Sequence, residues 1–317
     1  MNNSLIKRSL LFCVMLMVVL TGIEWIVLWG VRKSHYSHYY KVNQIASHET
    51  DPQIACFGSS VGEVSLNTTL LENETGFSVY NFSLDGTRFR QYNGLIQELN
   101  DYSVNCKLVI MAETFFSLSS IDQLTEPDRY IAHLDNDHIY QSLHDIQPEL
   151  TWKLRYVPFY KFIVAKQSYY RASFLGLKEF RAAASTDSLK GFTPKYKEWE
   201  SDLDSLNKNS PPIDIHVDSA TVQIYKRTID ALRRKGRKVL IIIPPIQSDG
   251  LKLLPGLSAV RKKLASLQGN GVYFRDFSVS DISLDKRYFY NNSHVNSKGA
   301  KVFSERLGLV IDSLVSN

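Results

Sequence analysis

The sequence places a serine and a histidine where they could act as a nucleophile and its base. Ser60 lies in the segment Gly58-Ser59-Ser60, where an apolar run ends and a helix is expected to begin. His294 lies in the polar segment 290–300, just before the last helix-like stretch. A serine hydroxyl becomes nucleophilic when a neighbouring base removes its proton, and backbone N–H groups can stabilise the resulting oxyanion. Taken singly, Gly-Ser-Ser is an ordinary helix N-cap, and a lone histidine is more often a surface residue.

A second polar segment, residues 81–86, also follows an apolar run. In a parallel sheet the carboxyl ends of the strands lie at one edge, and α/β folds bind ligands there. Gly86 could therefore offer a backbone N–H to the same site as Ser60. Its alternative role is that of a turn residue in the left-handed conformation.

The elements that must position these segments follow from the apolar pattern. Five short apolar runs without alternation predict strands that are covered on both faces, as in a parallel sheet flanked by helices. These runs are 54–57, 77–82, 108–112, 239–243 and 271–274. Residues at helical spacing predict helices over 88–99, 219–235, 251–267 and 297–314. The order of strands and helices predicts a doubly wound α/β domain.

The order, spacing and strand-end placement of the three polar segments resemble the SGNH (GDSL-like) hydrolase superfamily. The resemblance covers most of residues 51–317 and implies a three-layer α/β/α sandwich with a five-stranded parallel sheet, of the flavodoxin-like kind. We expect a tail and transmembrane anchor over 1–33 and a linker over 34–50. The remaining SGNH-like domain would contain a helical insertion at about 115–218.

The same resemblance implies roles for particular residues. The Gly-Ser-Ser segment is similar to the family's first block, which makes Ser60 the nucleophile and its N–H an oxyanion donor. The segment that ends at Gly86 is similar to the second block, which makes Gly86 a further oxyanion donor. The Ser-His-Val-Asn stretch is similar to the terminal block, which makes His294 the base.

Two positions depart from the family pattern. The terminal block normally has an aspartate three residues before the histidine, where this chain has Asn291. Asparagine can orient an imidazole but cannot balance the charge of an imidazolium, and the equivalent change in a serine triad lowers the rate about 10⁴-fold. Asp285 could substitute from upstream, or a Ser60–His294 dyad could suffice. The third block normally supplies an asparagine after the third strand, where Thr114 is the candidate donor here.

The N-terminus reads as a membrane anchor. Lys7 and Arg8 precede an apolar run over 10–30, which is long enough to span a bilayer as a helix. The alternative is a cleaved signal peptide, whose apolar core would be shorter and would end in small residues. The two basic residues favour an inside N-terminus and an extracytoplasmic domain. Glu24 within the span could pair with a membrane partner or lie at the interface.

The insertion at 115–218 is too long for a plain loop, so we expect it to carry structure of its own. Its middle, residues 156–180, mixes aromatic and basic residues. A packed helical subdomain, an amphipathic lid and a surface that rests on lipid headgroups all fit this composition.

Composition argues against several classes of function. The net charge of +5 is modest and no long basic tract is present, so nucleic-acid binding has little support. Neither nucleotide-binding glycine pattern occurs, and we expect no cofactor.

Cys56 and Cys106 lie in apolar runs, where we expect them to be buried, and the sequence does not decide whether they form a disulfide. One polar cluster contains residue types that can bind a metal, but its spacing matches no standard ligand pattern. A solvated surface is the favoured interpretation, and we expect no metal. Its members are His133, Asp135, Asp137, His138 and His144.

Among SGNH relatives, one membrane helix, an extracytoplasmic domain and a long helical insertion are typical of proteins that acylate cell-envelope polysaccharides. The resemblance implies transfer of an acyl group, most simply acetyl, to or from a surface glycan through an acyl-serine. A multi-pass membrane-bound O-acyltransferase is an expected partner. The alternatives are a simple carbohydrate esterase or deacetylase and a catalytically weak glycan-binding or scaffolding subunit.

Overall fold

The computed structural model describes residues 3–179, 188–200 and 202–315. A central sheet of five parallel strands has the order β2-β1-β3-β4-β5. The strands are β1 (Ile54–Gly58), β2 (Val79–Asn81), β3 (Leu108–Ala112), β4 (Lys238–Ile243) and β5 (Val272–Asp276). All residues of β1 and β3 are buried, which explains their continuous apolar sequence. The predicted α/β class with a five-stranded parallel sheet is confirmed.

Helices precede, connect and follow these strands, and those predicted over 88–99, 219–235 and 297–314 begin and end within about three residues of their predicted bounds. Before the insertion they are α1 (Asn3–Arg32), α2 (Ser37–Ala46), α3 (Ser60–Ser65), α4 (Thr68–Thr75) and α5 (Phe89–Tyr102). After it they are α11 (Ser219–Arg234), α12 (Ser248–Lys252), α13 (Leu257–Ala265), α14 (Asp281–Leu284) and α15 (Ser297–Val315). The single helix predicted over 251–267 is wrong, because Pro255 cannot continue a helix and separates α12 from α13.

Successive side chains of each strand point to opposite faces of the sheet, where they pack into two separate hydrophobic cores. Phe57 and Met111 enter the larger core, which α2, α5 and α11 cover. Cys56 and Ile110 enter the smaller core, which α15 closes. Cys56 and Cys106 are both buried free thiols, so the two form no disulfide.

The insertion is helical in its described part. It contains a 3₁₀ helix (Pro127–His133) and the helices α6 (Asp137–His144), α7 (Pro148–Tyr156), α8 (Lys161–Val164), α9 (Gln167–Glu179) and α10 (Asp202–Asn209). Residues 180–187 and 201 of the predicted insertion lie outside the described residues. The segment 188–200 returns to the sheet, where the N–H of Asn81 donates to the carbonyl of Lys190.

The helix α1 contains one stretch, Ser4–Arg32, that is long and apolar enough to cross a membrane. An 18-residue window within this stretch has a mean hydropathy of 2.5 and is 6% buried, and an N-terminal signal sequence can show the same features. Near its end α1 packs closely on α9, because a Cβ on Gly30 would lie 2.5 Å from the carbonyl oxygen of Ser173. Glu24 forms an ion pair at 2.6 Å with Lys161, so its charge is balanced within the chain.

The polar cluster at residues 133–144 does not converge. His133 is buried and hydrogen bonds to Asn43, whereas His138 pairs with Asp101. Asp137 instead pairs with Arg155. Each group has its own partner, as expected for structural and surface residues.

Candidate active site

Ser60 and His294 meet at the carboxyl edge of the sheet. Ser60 is the first residue of α3, immediately after β1 and the N-cap Ser59. His294 begins β7 (His294–Val295), which pairs with β6 (Phe289–Asn291) in a small antiparallel hairpin. The Oγ of Ser60 lies 2.8 Å from the Nε2 of His294, although the residues are 234 positions apart. This is the distance that proton transfer from a serine to its base requires.

Asn291 fixes the orientation of the imidazole. Its Oδ1 accepts the backbone N–H groups of His294 at 2.9 Å and Ser293 at 3.1 Å, and it lies 2.9 Å from the Nδ1 of His294. Two N–H donors at one atom identify that atom as the oxygen, so Nδ1 must carry a proton that it donates. The Nε2 is then the unprotonated acceptor that faces Ser60. The aspartate of a serine triad both orients the imidazole and stabilises the imidazolium by its charge. Asn291 therefore performs the first function and not the second.

The hairpin is held in place by Asn296, which the sequence reasoning did not single out as a site residue. Its Nδ2 donates to the carbonyls of Arg287 and Phe289, and its Oδ1 accepts the N–H groups of Lys298 and Gly299 at the start of α15. An asparagine just before a helical stretch is an N-cap signal, and that signal could have identified it.

The second polar segment is joined to the nucleophile helix through Asn81. Its Nδ2 donates to the carbonyls of Gly62 at 3.0 Å and Leu66 at 3.2 Å, and its Oδ1 accepts the N–H of Ser83. A Cβ on Gly62 would lie 2.6 Å from the Oγ of Ser83 and 3.0 Å from the Cβ of Ala112, so a larger residue would force these neighbours to move. The loop and the start of α3 are thereby held as one unit.

Gly86 occupies the left-handed region with φ of 71°, in a turn closed by the N–H of Thr87 and the carbonyl of Leu84. This is the conformation that a type II turn requires of glycine. Arg129 of the insertion donates to the carbonyl of Asp85 at 3.0 Å and holds the turn from outside. The turn role of Gly86 is therefore observed, and its role as an oxyanion donor stays a prediction.

The region after β3 uses its polar groups within the fold. The N–H of Thr114 donates to the Oγ of Ser117 at 2.8 Å. The adjacent Glu113 is fully buried and accepts hydrogen bonds from the hydroxyls of Tyr92 and Tyr225. Burial raises the pKa of the Glu113 carboxyl, although its hydrogen bonds oppose this. The proposed oxyanion contribution of Thr114 stays a prediction.

Asp285 does not take the place of the aspartate. Both of its carboxylate oxygens accept hydrogen bonds from the guanidinium of Arg287, and Asn291 occupies the position beside the Nδ1 of His294. Asp285 instead caps the short 3₁₀ helix Lys286–Tyr288. The suggestion that it orients the base is therefore wrong.

A buried ion pair, which the sequence did not indicate, connects the nucleophile helix to neighbouring elements of the fold. Lys41 of α2 is 5% exposed, and its Nζ donates to the carboxylate of Glu63 at 2.8 Å and to the carbonyl of Ser83 at 2.7 Å. Glu63 lies one turn after Ser60 on α3, and the hydroxyl of Thr193 donates to the same carboxylate oxygen at 3.2 Å. Lys41 thus links α2, the nucleophile helix and the second loop.

The surroundings of His294 favour the neutral form of its imidazole. Burial lowers the pKa of its imidazole, and Lys195 lowers it further, whereas Asp85 and Glu63 act in the opposite direction. The ring of Tyr290 stacks on the imidazole with centroids 5.5 Å apart. A neutral imidazole is the form that can accept a serine proton.

Comparison with known proteins adds little to this geometry. No protein-family model and no curated protein matches the chain. Among solved structures, the chain is similar to a Streptococcus pneumonia protein described as a candidate platelet activating factor. The two are 9% identical with a TM-score of 0.43, over 93% of this chain and 98% of that chain. The chemistry proposed below therefore depends on the geometry of Ser60, His294 and Asn291.

Proposed function

We propose that this protein is an SGNH-type acyltransferase that moves an acyl group, most simply acetyl, to or from a cell-envelope polysaccharide. The observation that carries the proposal is the 2.8 Å contact between the Oγ of Ser60 and the Nε2 of His294, with Asn291 at Nδ1. The apolar helix α1 would anchor the chain in the membrane, with the α/β domain outside the cytoplasm. A multi-pass membrane-bound O-acyltransferase would supply or receive the acyl group.

The reaction would take two steps. The Oγ of Ser60 attacks the acyl carbonyl carbon while the Nε2 of His294 takes the hydroxyl proton. The bond from the acyl carbon to the donor's leaving oxygen breaks, and His294 returns the proton to that oxygen. In the second step a glycan hydroxyl gives its proton to His294 and attacks the acyl-serine, and Ser60 regains a proton as it leaves. The N–H groups of Ser60 and Gly86 would hold the oxyanion in both steps.

The test is covalent labelling of the full-length chain by an activated serine-directed phosphonate, followed by intact mass spectrometry. We expect one adduct on the wild type and none on Ser60→Ala or His294→Ala. Ser65→Ala is a matched control, because this serine lies on the same helix and its buried Oγ has no hydrogen bond among the described residues. Absence of the adduct from wild type, or its persistence in Ser60→Ala, would refute the nucleophile assignment.

Two other functions are separated by further measurements. A plain esterase or deacetylase would release acid from small esters without a glycan acceptor, whereas an obligate transferase would be nearly silent. The neutral Asn291 beside the base favours the third possibility, a catalytically weak glycan-binding or scaffolding subunit. That subunit would leave glycan acylation unchanged in cells carrying Ser60→Ala, whereas the proposed transferase would lose it.

A further inference from the structure

Residues 152–178 of the insertion have an unusual composition and are called here the basic aromatic segment. They contain six lysine and arginine residues and no aspartate or glutamate. Several large apolar side chains of this segment are exposed: Trp152, Tyr156, Ile163, Tyr170 and Phe174. Soluble surfaces rarely gather so many exposed aromatic side chains, so this face is expected to contact something.

The exposed face of α9 within this segment is a continuous stripe. Its members are Gln167, Tyr170, Arg171, Phe174 and Lys178, which recur at helical spacing. The opposite face of the helix is buried. Apart from Gln167, the solvent-facing side of α9 therefore consists of aromatic and basic side chains.

The basic aromatic segment is fixed beside the apolar helix α1. A Cβ on Gly176 would overlap the carbonyl oxygen of Gly30, so the two helices cross in direct backbone contact. Lys161 pairs at 2.6 Å with Glu24, which lies eight residues before the end of α1. Eight helical residues span about 12 Å, so the segment lies alongside the last 12 Å or so of the helix.

We propose that the basic aromatic segment rests in the headgroup layer of an anionic bilayer, on the side where α1 leaves the membrane. Phe174 and Ile163, which are 66% and 77% exposed, would reach the boundary of the acyl chains. Arg171 and Lys178 of the stripe would face lipid phosphates. The other four basic side chains of the segment form ion pairs within the chain, with Glu149, Asp137, Glu24 and Glu126. This proposal rests on the membrane anchoring in the proposed function, because the segment can reach lipid only if α1 spans the bilayer.

Three observations favour lipid over a protein partner as the occupant. The surface continues directly from a helix of membrane-spanning length and hydropathy. Its exposed stripe carries two basic side chains, Arg171 and Lys178, that form no ion pair among the described residues, and such charges complement anionic headgroups. Its exposed aromatic rings are the residue type that concentrates at membrane interfaces.

The test uses the full-length chain with Cys13→Ser, reconstituted alone in nanodiscs that contain anionic lipid. Nitroxide labels are placed at Phe174→Cys and Ile163→Cys, and their collision rates with oxygen and with a water-soluble nickel chelate are compared. Leu309→Cys on α15 and Val279→Cys are matched controls, because these side chains are 67% and 66% exposed outside the segment. Val18→Cys in α1 reports separately whether the helix spans the bilayer.

We expect the ratio of the oxygen collision rate to the nickel collision rate to be severalfold higher at positions 174 and 163 than at the two control positions. At positions 174 and 163 this ratio should be lower in purely zwitterionic nanodiscs than in anionic ones. Control-like values at both positions, with Val18 in lipid, would overturn the proposal and leave the membrane anchor intact. Protection from nickel that appears only after a membrane protein is added would also overturn it, in favour of a protein partner. Phosphonate labelling of Ser60 on the same samples reports the proposed chemistry independently.

Discussion

The carboxyl edge of the sheet and the basic aromatic segment are held together in different ways. At the sheet edge, the side chains of Asn81, Asn291 and Asn296 bind backbone groups, so each position is fixed by several directed hydrogen bonds. In the segment, four of the six basic side chains form ion pairs with other side chains, as Lys161 does with Glu24 and Arg155 with Asp137. The first arrangement depends on single atoms, whereas the second depends on charge and exposed area. Small changes should therefore act strongly at the sheet edge and weakly in the segment.

The largest effect is expected from Asn291→Asp, which adds a charge at the Nδ1 of His294 with almost no change in shape. A carboxylate there would stabilise the imidazolium, and the rate of phosphonate labelling should rise between about 10-fold and 10⁴-fold. Burial now lowers the pKa of His294 below 6.5, so the wild-type rate should fall only as the pH drops through that lowered value. The new carboxylate raises the pKa and should move this decline to higher pH.

Asn292→Asp is the control for this change, because the side chain of Asn292 pairs with Asn207. We expect its labelling rate and its pH profile to match those of the wild type. An unchanged rate and profile in Asn291→Asp would mean that another group already balances the imidazolium charge.

A smaller effect is expected from Lys41→Met, which tests whether the site depends on the buried ion pair. The substitution leaves the carboxylate of Glu63 without its ammonium partner, and removal of one member of such a pair typically costs about 3 kcal/mol in the free energy of unfolding. Urea unfolding of the detergent-solubilised chain measures the loss. Lys41→Met combined with Glu63→Gln should recover part of it, and Lys226→Met, on the exposed face of α11, should change nothing. Equal stability of all three variants would exclude the pair as a support of the site.

The smallest effect is expected at the contact between α1 and α9. Gly176→Ala inserts a methyl group against the carbonyl oxygen of Gly30, and such overpacking typically costs about 1–3 kcal/mol. The thermal midpoint should fall by a few degrees. Gly22→Ala on α1 is the matched control, because a Cβ there meets no atom within 4 Å. If the two variants have the same thermal midpoint, the close contact of the helices does not contribute to stability.

Local sequence was sufficient to predict the main elements. β1 and β3 were predicted because strands buried on both faces need continuous apolar residues. The helices α5, α11 and α15 were predicted because their apolar residues recur at helical spacing. The hairpin of β6 and β7 was missed, because its strands of three and two residues are too short for a periodic pattern.

The sequence by itself determined the residue types at the candidate site and placed Ser60, Gly86 and His294 after strands or before helices. Only the tertiary structure decided which atoms meet. The contact between Ser60 and His294 joins residues 234 positions apart, and it exists because the hairpin of β6 and β7 packs against α3, which begins where β1 ends. The pairing of Lys41 with Glu63 likewise depends on how the elements pack. Contacts of this kind leave no local periodicity in the chain, so composition and spacing cannot reveal them.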